Sequence, residues 1–410
     1  MRLTTLELDE FRVYRHLRLD VPPAGLRIVG QNASGKTSLL EAIYLLATAR
    51  SPRASAERDL INWQSNEEFG LSPYARARAS MAADGRSREV EMTLALEAER
   101  GGLRKRMKVD GAARRLVDAV GTIRVVLFEP EDLGLVLGAP GSRRRYLDIS
   151  LSQLDRTYLQ ALSRYARLVQ QRNSLLKDLG ARRDRAGRDS ELAYWDEELV
   201  TYGSYLITAR LRYAATLSVH AQQAFARLTG GSHELGLHYR SSLEQPETMV
   251  ERVRAVPLAG AQGLVGRAFE QALQARRDEE LRRGATVIGP HRDDLIFTID
   301  GRDLSAFGSR GQQRLAVVAT KLAELSTMLD VSGDRPVLLL DDVLSELDAG
   351  HRELLLSEIG ASGCQVLITG TERRLLAHPA LAALPVLQVR DAMLAAVGED
   401  DEPGDLPGER

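Results

Sequence analysis

Gly30-Gln31-Asn32-Ala33-Ser34-Gly35-Lys36-Thr37 is the stretch on which the reading of this chain turns. It satisfies G-x-x-x-x-G-K-[ST] at every position. Glycines let a loop wrap phosphate groups so that successive backbone N–H groups point inward. A helix starting directly after the loop adds the positive end of its dipole. Lys36 is placed to reach β- and γ-phosphates, and Thr37 to ligate Mg²⁺. The flanks agree. Leu26-Arg27-Ile28-Val29 reads as a short strand, and 37–49 as a helix with Leu39, Leu40, Ile43, Leu46 and Ala47 on one stripe. The pattern therefore implies ATP and Mg²⁺, with Gly30, Gln31, Asn32, Ala33, Ser34, Gly35, Lys36 and Thr37 around the phosphates.

The remaining composition sets bounds on this reading. The chain has 410 residues, enough for two to three domains. It is 44% hydrophobic and 27% charged with a formal net charge of −2, so any nucleic-acid surface must be a local patch. A single cysteine, Cys364, excludes an internal disulfide and suits a reducing cytoplasm. No run approaches the roughly 20 apolar residues of a membrane span. The N-terminus spaces Leu3, Leu6 and Leu8 with polar residues, as a strand does. A soluble, unexported, cytoplasmic protein is expected.

The chain reads as α/β at both ends and helical in the middle. Val90, Met92, Leu94 and Leu96 alternate with Glu89, Glu91, Thr93 and Glu97, the pattern of a half-buried antiparallel strand. Asp110-Gly111 is a hairpin signal after 104–109. From Leu151 the apolar residues Leu154, Tyr158, Leu162, Tyr165 and Val169 recur at helical spacing, and a second helical stretch runs over 191–228. A polar connector at 180–188 separates the two. A shorter helix covers 262–283. α/β character returns from Val287, with a hairpin at Asp300-Gly301, a helix over 312–329 and a buried strand at Pro336-Val337-Leu338-Leu339-Leu340. The expected organisation is 1–150 and 286–397 as the two halves of a nucleotide-binding head, 151–285 as a helical lobe, and 398–410 as a disordered acidic tail.

The second half carries the partners of the phosphate loop. Leu338-Leu339-Leu340-Asp341-Asp342 has the form of a Walker B strand. Asp341 is placed to hold Mg²⁺ and Asp342 to polarise the attacking water. Ser309-Arg310-Gly311-Gln312 resembles the S-x-G-Q signature of ABC-type ATPases. Ser309, Gly311 and Gln312 at a helix start form a second anion-binding element. In that class the element closes over nucleotide held by another copy, which implies an ATP-dependent homodimer. Ser345-Glu346-Leu347-Asp348 resembles the D-loop, which implies that Ser345 and Asp348, with Ser309, lie at the dimer interface. Asp341 comes 304 positions after Thr37. Such a split head with helices between its halves resembles the SMC, Rad50 and RecF group.

Three further segments narrow the resemblance to the RecF family. They are Pro130-Glu131-Asp132-Leu133-Gly134-Leu135-Val136-Leu137-Gly138-Ala139-Pro140 running on through Arg143-Arg144-Arg145-Tyr146-Leu147-Asp148, then Gly289-Pro290-His291-Arg292-Asp293-Asp294-Leu295, then Asp341 to Leu355. The resemblance extends to about Val389. It implies an ABC-type P-loop ATPase head with a mixed sheet and an antiparallel subdomain, plus an inserted helical lobe. It also implies a recombination mediator that binds single-stranded, double-stranded and gapped DNA, with RecO and RecR as partners and RecA loaded indirectly. The ATPase is expected to be weak, DNA-stimulated and regulatory.

The chain departs from general ABC heads in places. Asp342 stands where those have a catalytic glutamate, Thr369-Gly370-Thr371 where a switch histidine is expected, and Pro130-Glu131-Asp132 near the place of the Q-loop glutamine. His291 has two readings, a satisfied structural histidine or a nucleotide contact. Arg143-Arg144-Arg145 has three: solvated face, DNA contact or nucleotide-proximal cluster.

The densest basic stretch contains Arg100, Arg104, Lys105, Arg106, Lys108, Arg114 and Arg115. On a hairpin, Arg104, Arg106 and Lys108 share one face, which suits a strip tracking phosphates or a solvated surface. Arg50, Arg53 and Arg58 are a second candidate. No interleaved aromatics build a stacking platform. A nuclease-associated ATPase of the Rad50 or OLD type needs a long coiled coil or a fused nuclease domain, and a transporter subunit needs more closely spaced motifs. This chain has neither feature.

Overall fold

Strands apolar on both faces have to be covered on both faces, and Val125–Phe128, Val337–Asp341 and Val366–Gly370 are buried along their whole length. They lie side by side in a computed structural model that describes residues 1–65, 72–83, 85–97, 102–181, 187–243 and 248–396. Arg100, the body of the 180–188 connector and the acidic tail 398–410 lie outside the described residues. The strands in chain order are β1 Arg2–Phe11, β2 Tyr14–Asp20, β3 Gly25–Gly30, β4 Tyr74–Ala83, β5 Arg86–Leu96, β6 Leu103–Val109, β7 Ala112–Arg114 and β8 Val125–Phe128. They continue with β9 Leu235–Arg240, β10 Asp294–Ile299, β11 Arg302–Asp303, β12 Val337–Asp341, β13 Val366–Gly370, β14 Val386–Arg390 and β15 Met393–Ala396.

The chain divides into two compact units, 1–132 with 328–410, and 133–327. These bounds differ from those expected. The segments 133–150 and 286–327 belong with the helices, because Pro140–Leu154 packs on its neighbours Arg156–Ala181 and Arg188–Thr229 and on β10.

In the first unit one sheet has the order β15-β14-β3-β13-β12-β8, parallel except for the β14–β15 pair. The carboxyl ends of β3, β8, β12 and β13 therefore share one edge, the edge at which open α/β sheets take their ligands. The helix Lys36–Thr48, which follows β3, buries Leu39, Leu40, Ile43, Leu45 and Leu46.

The other sheet is antiparallel, in the order β2-β1-β4-β5-β6-β7. One face carries Leu6, Leu8, Ala77, Ala79, Val90, Met92 and Met107 into the core. The spacing of Leu3, Leu6 and Leu8 breaks strict alternation, and a register shift between Leu3 and Thr5 resolves it: a bulge lets all three face inward. Sequence reading passed over β4, although Ala75-Arg76-Ala77-Arg78-Ala79 alternates. Alanine is a poor strand former in isolation and is placed here by its cross-strand neighbours.

In the second unit the helix expected to run from Leu151 breaks at Asp155. Its carboxylate accepts from the N–H groups of Thr157 (2.8 Å) and Tyr158 (3.1 Å) and so caps Arg156–Ala181. Arg188–Thr229 follows, 42 residues long, or roughly 60 Å. Leu176, Leu179 and Leu192 close the pair of helices at one end. The helix expected over 262–283 is two, Leu258–Ala275 and Arg277–Arg283. β9, β10 and β11 form a small antiparallel sheet.

Arg172 is wholly buried in this unit. It donates to Glu280 (2.6 Å), Asp196 (2.9 Å) and Thr286 Oγ1 (2.9 Å). Removing one partner of a buried pair strands the other charge, so Arg172→Met is expected to cost about 3–5 kcal/mol, measured by urea unfolding against wild type. A loss below about 1 kcal/mol, the range of exposed ion pairs, would show that Glu280 is relieved in another way.

Candidate functional site

The loop after β3 turns on two residues with positive φ, Ala33 (64°) and Gly35 (112°). A Cβ at Gly35 would sit 2.7 Å from the Tyr14 hydroxyl, so glycine is demanded by space as well as by conformation. That hydroxyl donates to Gly35 O (3.1 Å), pinning the loop to β2. Lys36 Nζ donates to Gly30 O and Gln31 O, both at 2.7 Å, closing the loop on itself. Ser34 Oγ is buried with no hydrogen-bond partner among the described residues. A buried hydroxyl in that condition is costly unless a ligand uses it.

Asp341 ends β12 and gathers the site. Its Oδ1 accepts from Thr37 Oγ1 (3.1 Å) and Thr369 Oγ1 (2.7 Å), and its Oδ2 faces Arg53 Nη2 (2.9 Å). Thr369 also accepts from the Asp342 N–H (3.1 Å), so one hydroxyl ties the ends of β12 and β13. Asp342 is held in the left-handed region at φ 52°. Burial raises its pKa, opposed by the Lys36 charge. Burial lowers that of Lys36, while Asp342 and Asp341 pull it back up. A hydroxyl and a carboxylate are hard oxygen donors of the kind Mg²⁺ takes. The guanidinium already drawn to Asp341 shows that the position attracts cations. The residues thus fit a phosphate ligand and a divalent metal.

Arg53, a candidate for DNA contact, points into the site. Its guanidinium is turned to Asp341 and, at 3.4 Å each, to Glu129 and Glu131. Glu131 belongs to the segment that lies near the expected place of the Q-loop glutamine. Sequence reading also missed Thr369 as a ligand of Asp341, seeing it only as a place where histidine was lacking. It missed Arg12, which donates twice to Glu41 at 2.8 Å beside a cleft of about 340 Å³ that Thr37, Arg53 and the exposed Trp63 also line. These contacts join residues far apart in sequence, so no local signal announced them.

The signature lies in the second unit. Ser309 caps the helix Arg310–Ser332: its Oγ accepts from Gln312 N–H (3.2 Å), and Gln312 Oε1 accepts from Ser309 N–H (2.8 Å). This reciprocal arrangement is a capping box. It leaves Ser309 and Gly311 exposed. In the first unit Ser345 and Asp348 are exposed. Ser345 Oγ donates to Asp342 O (2.7 Å), and Asp348 caps Ala349–Ser362.

The segment Gly289 to Leu295 is committed to its own unit. His291 Nε2 donates to Thr286 O (3.1 Å), its Nδ1 accepts from Tyr165 (2.8 Å), and burial pushes its pKa down to about 4. This geometry favours the structural reading of that histidine. Arg143 makes two bonds to Asp294 (2.7 and 2.9 Å), and Arg144 donates to Asp293 O (2.9 Å). These two arginines are therefore braces, with little left over for a solvated face.

On β6, Arg104, Arg106 and Lys108 share the exposed face, as their alternation required. Lys108 is paired with Glu91 at 2.8 Å. Arg104 and Arg106 stand opposite Ala95 and Thr93, and neither is in an ion pair among the described residues.

The profile of the RecF/RecN/SMC N-terminal domain family matches residues 2–393. The DNA replication and repair protein RecF of Thermomicrobium roseum is 48% identical over 394 residues, spanning 96% of this chain and 99% of that protein. A solved structure described as the recombination mediator protein RecF with ATP in the RecFOR pathway superposes with TM-score 0.81. It is 28% identical and covers 97% of this chain and 98% of the other. An SMC head bound to the C-terminal winged-helix domain of ScpA, 15% identical, shares the fold with TM-score 0.53 over 97% of both chains. The architecture is that of an ABC-type ATPase head.

Thr369→Val removes the hydroxyl that serves both Asp341 and the Asp342 N–H. With a buried donor left unpaired, the nucleotide-free protein is expected to lose about 1–3 kcal/mol of stability, read from denaturant midpoints. An unchanged midpoint would show that water takes the hydroxyl's place.

Proposed function

The chain belongs to the RecF family, and from that premise we propose that it is an ATP-dependent, DNA-binding recombination mediator. It acts at gapped and single-stranded regions in DNA repair and replication restart, helping RecO and RecR load RecA. The observation that carries the reading is the 3.1 Å bond from Thr37 to Asp341, which brings the phosphate loop and the acidic strand together. The relative's name, DNA replication and repair protein, and the neighbour's place in the RecFOR pathway support the biological setting.

In this reading the N–H groups of 30–37 cradle the phosphates of ATP, and Ser34 Oγ gains its partner there. Lys36 exchanges Gly30 O and Gln31 O for the β- and γ-phosphates. Thr37 and Asp341 hold Mg²⁺, which when bound supplies neutralising charge to the phosphates. Asp342 orients and polarises water; its raised pKa suits a base, and its short side chain suits a slow ATPase used as a timer. Arg53 is reassigned from DNA to the nucleotide site.

Ser309, Gly311 and Gln312 cap the nucleotide of a second copy, with Ser345 and Asp348 at the same interface. ATP binding dimerises the heads and hydrolysis, weak and stimulated by DNA, releases them. DNA is gripped by its backbone, through Arg104 and Arg106 chiefly and Lys108 secondarily. No helix among the described residues is long and apolar enough to cross a membrane, in keeping with a cytoplasmic site of action.

With a non-hydrolysable ATP analogue and gapped DNA, wild type is expected to sediment as a dimer and Lys36→Ala as a monomer. Asp342→Asn should still dimerise but turn over about 10²-fold more slowly. A monomer with triphosphate bound at saturation, or variants that dimerise and turn over like wild type, defeats the clamp reading. Replacing Arg104 and Arg106 with alanine should make the negative slope of log K against log salt shallower by roughly 1.5. An unchanged slope moves the DNA surface elsewhere.

A further inference from the structure

Gln312 does more than complete the capping box. Its Oε1 is committed to the Ser309 N–H, so its amide NH₂ points the other way, to His233 Nε2 at 3.2 Å. His233 Nδ1 in turn meets Asp300 Oδ2 at 2.7 Å. A carboxylate accepts only, so Nδ1 carries the hydrogen and Nε2 is the bare acceptor that the Gln312 amide requires. Asp300 is itself immobilised at the β10–β11 turn. Its Oδ1 accepts from the Glu234 N–H and its N–H donates to Glu234 O, both at 2.9 Å. The donor–acceptor order thus runs without conflict from main chain to carboxylate, to imidazole, to amide, to the Ser309 N–H.

We propose that His233, held by Asp300, is a positioning residue for the signature: it fixes which way the Gln312 amide faces and so keeps Ser309 in its capping conformation with its hydroxyl presented outward. An amide flips its O and N about one soft torsion, and a flipped Gln312 would aim NH₂ at the Ser309 N–H, two donors in opposition. The acceptor at His233 Nε2 disfavours that flip. Ser309 Oγ already accepts from the Gln312 N–H. The serine's own O–H is therefore the donor left for an anionic oxygen. The consequence for nucleotide capping rests on the dimer reading above; the consequence for the local conformation does not.

The test uses full-length protein and three variants. Asparagine places an amide near the Nδ1 position and can keep the Asp300 bond without reaching Gln312. Glutamine places one near the Nε2 position and can reach Gln312. Hydrogen exchange at the Ser309 and Gln312 amides, in nucleotide-free protein, is expected to speed about tenfold in His233→Ala and His233→Asn and to return close to wild type in His233→Gln. In the same variants, self-association driven by a non-hydrolysable ATP analogue should weaken by about tenfold while the affinity of the monomer for the analogue stays unchanged, since His233 is remote in role from the phosphate loop. Wild-type exchange in all variants overturns the proposal. So does fast exchange in His233→Ala with normal exchange in His233→Asn, which would leave His233 only the task of tying down the hairpin, and so does failure of His233→Gln to restore protection. If wild type itself shows no analogue-dependent association, the dimer reading falls, and the exchange rates still decide this one.

Discussion

One carboxylate has to be in one place: Asp341, at the end of a buried strand, within hydrogen-bonding reach of Thr37 at the start of the helix that follows the phosphate loop. Burying a charge with a single partner is costly. Asp341 has three, Thr37, Thr369 and Arg53, each delivered by a different segment. Much of the first unit can be understood as the means of holding these segments in register. β12 lies between β13, which brings Thr369, and β8, whose continuation brings Glu129 and Glu131 to the far side of Arg53. β3 pairs with β13 on its other edge and carries the loop to the same end. Parallel pairing makes this possible, since it puts every carboxyl end on one edge.

The second unit solves a different problem. Its long helices bury polar groups, among them Arg210, which reaches Asp148, Tyr158 and Pro290 O. Asp293 sits in the same region, its pKa raised by burial and held down by Tyr239 and Ser242. Networks of this kind pay little toward stability against an apolar alternative, but they accept only one arrangement of donors and acceptors. The segment Gly289 to Leu295, which in a sequence looks like a site, is part of this scaffold. The signature stands further downstream in the same unit, with its serine exposed and its half-buried glutamine turned to His233.

The antiparallel sheet shows how a nearly neutral chain can still offer a cationic surface. Along its solvent face Asp9 takes His16 and Arg76, Glu7 takes Arg18, Arg78 meets Glu89, and Lys108 meets Glu91. Such exposed pairs are worth little individually, but they cancel charge locally. Toward Arg104 and Arg106 the cross-strand partners become Ala95 and Thr93, and the cancellation stops. Net charge could not reveal this; register does.

Much of the protein was legible in the residue order. The phosphate loop, the apolar strand ending in Asp341 and Asp342, the alternation of β5 and β6, and the helical middle are each written in a local period or a contiguous motif. Short-range sterics and burial act on neighbours in sequence, which is why such features can be read. The fold and family follow from them. Other features were decided only when distant segments met: the bulge that turns Leu3 inward, the choice of Thr369 as the second hydroxyl on Asp341, the turning of Arg53 from solvent to carboxylates, and the line from Asp300 through His233 to Gln312. Each depends on a hydrogen bond or a charge pair between residues whose separation along the chain carries no signal. A side chain's partner is chosen by position in space and by the cost of leaving a buried group unpaired, and those are properties of the folded molecule.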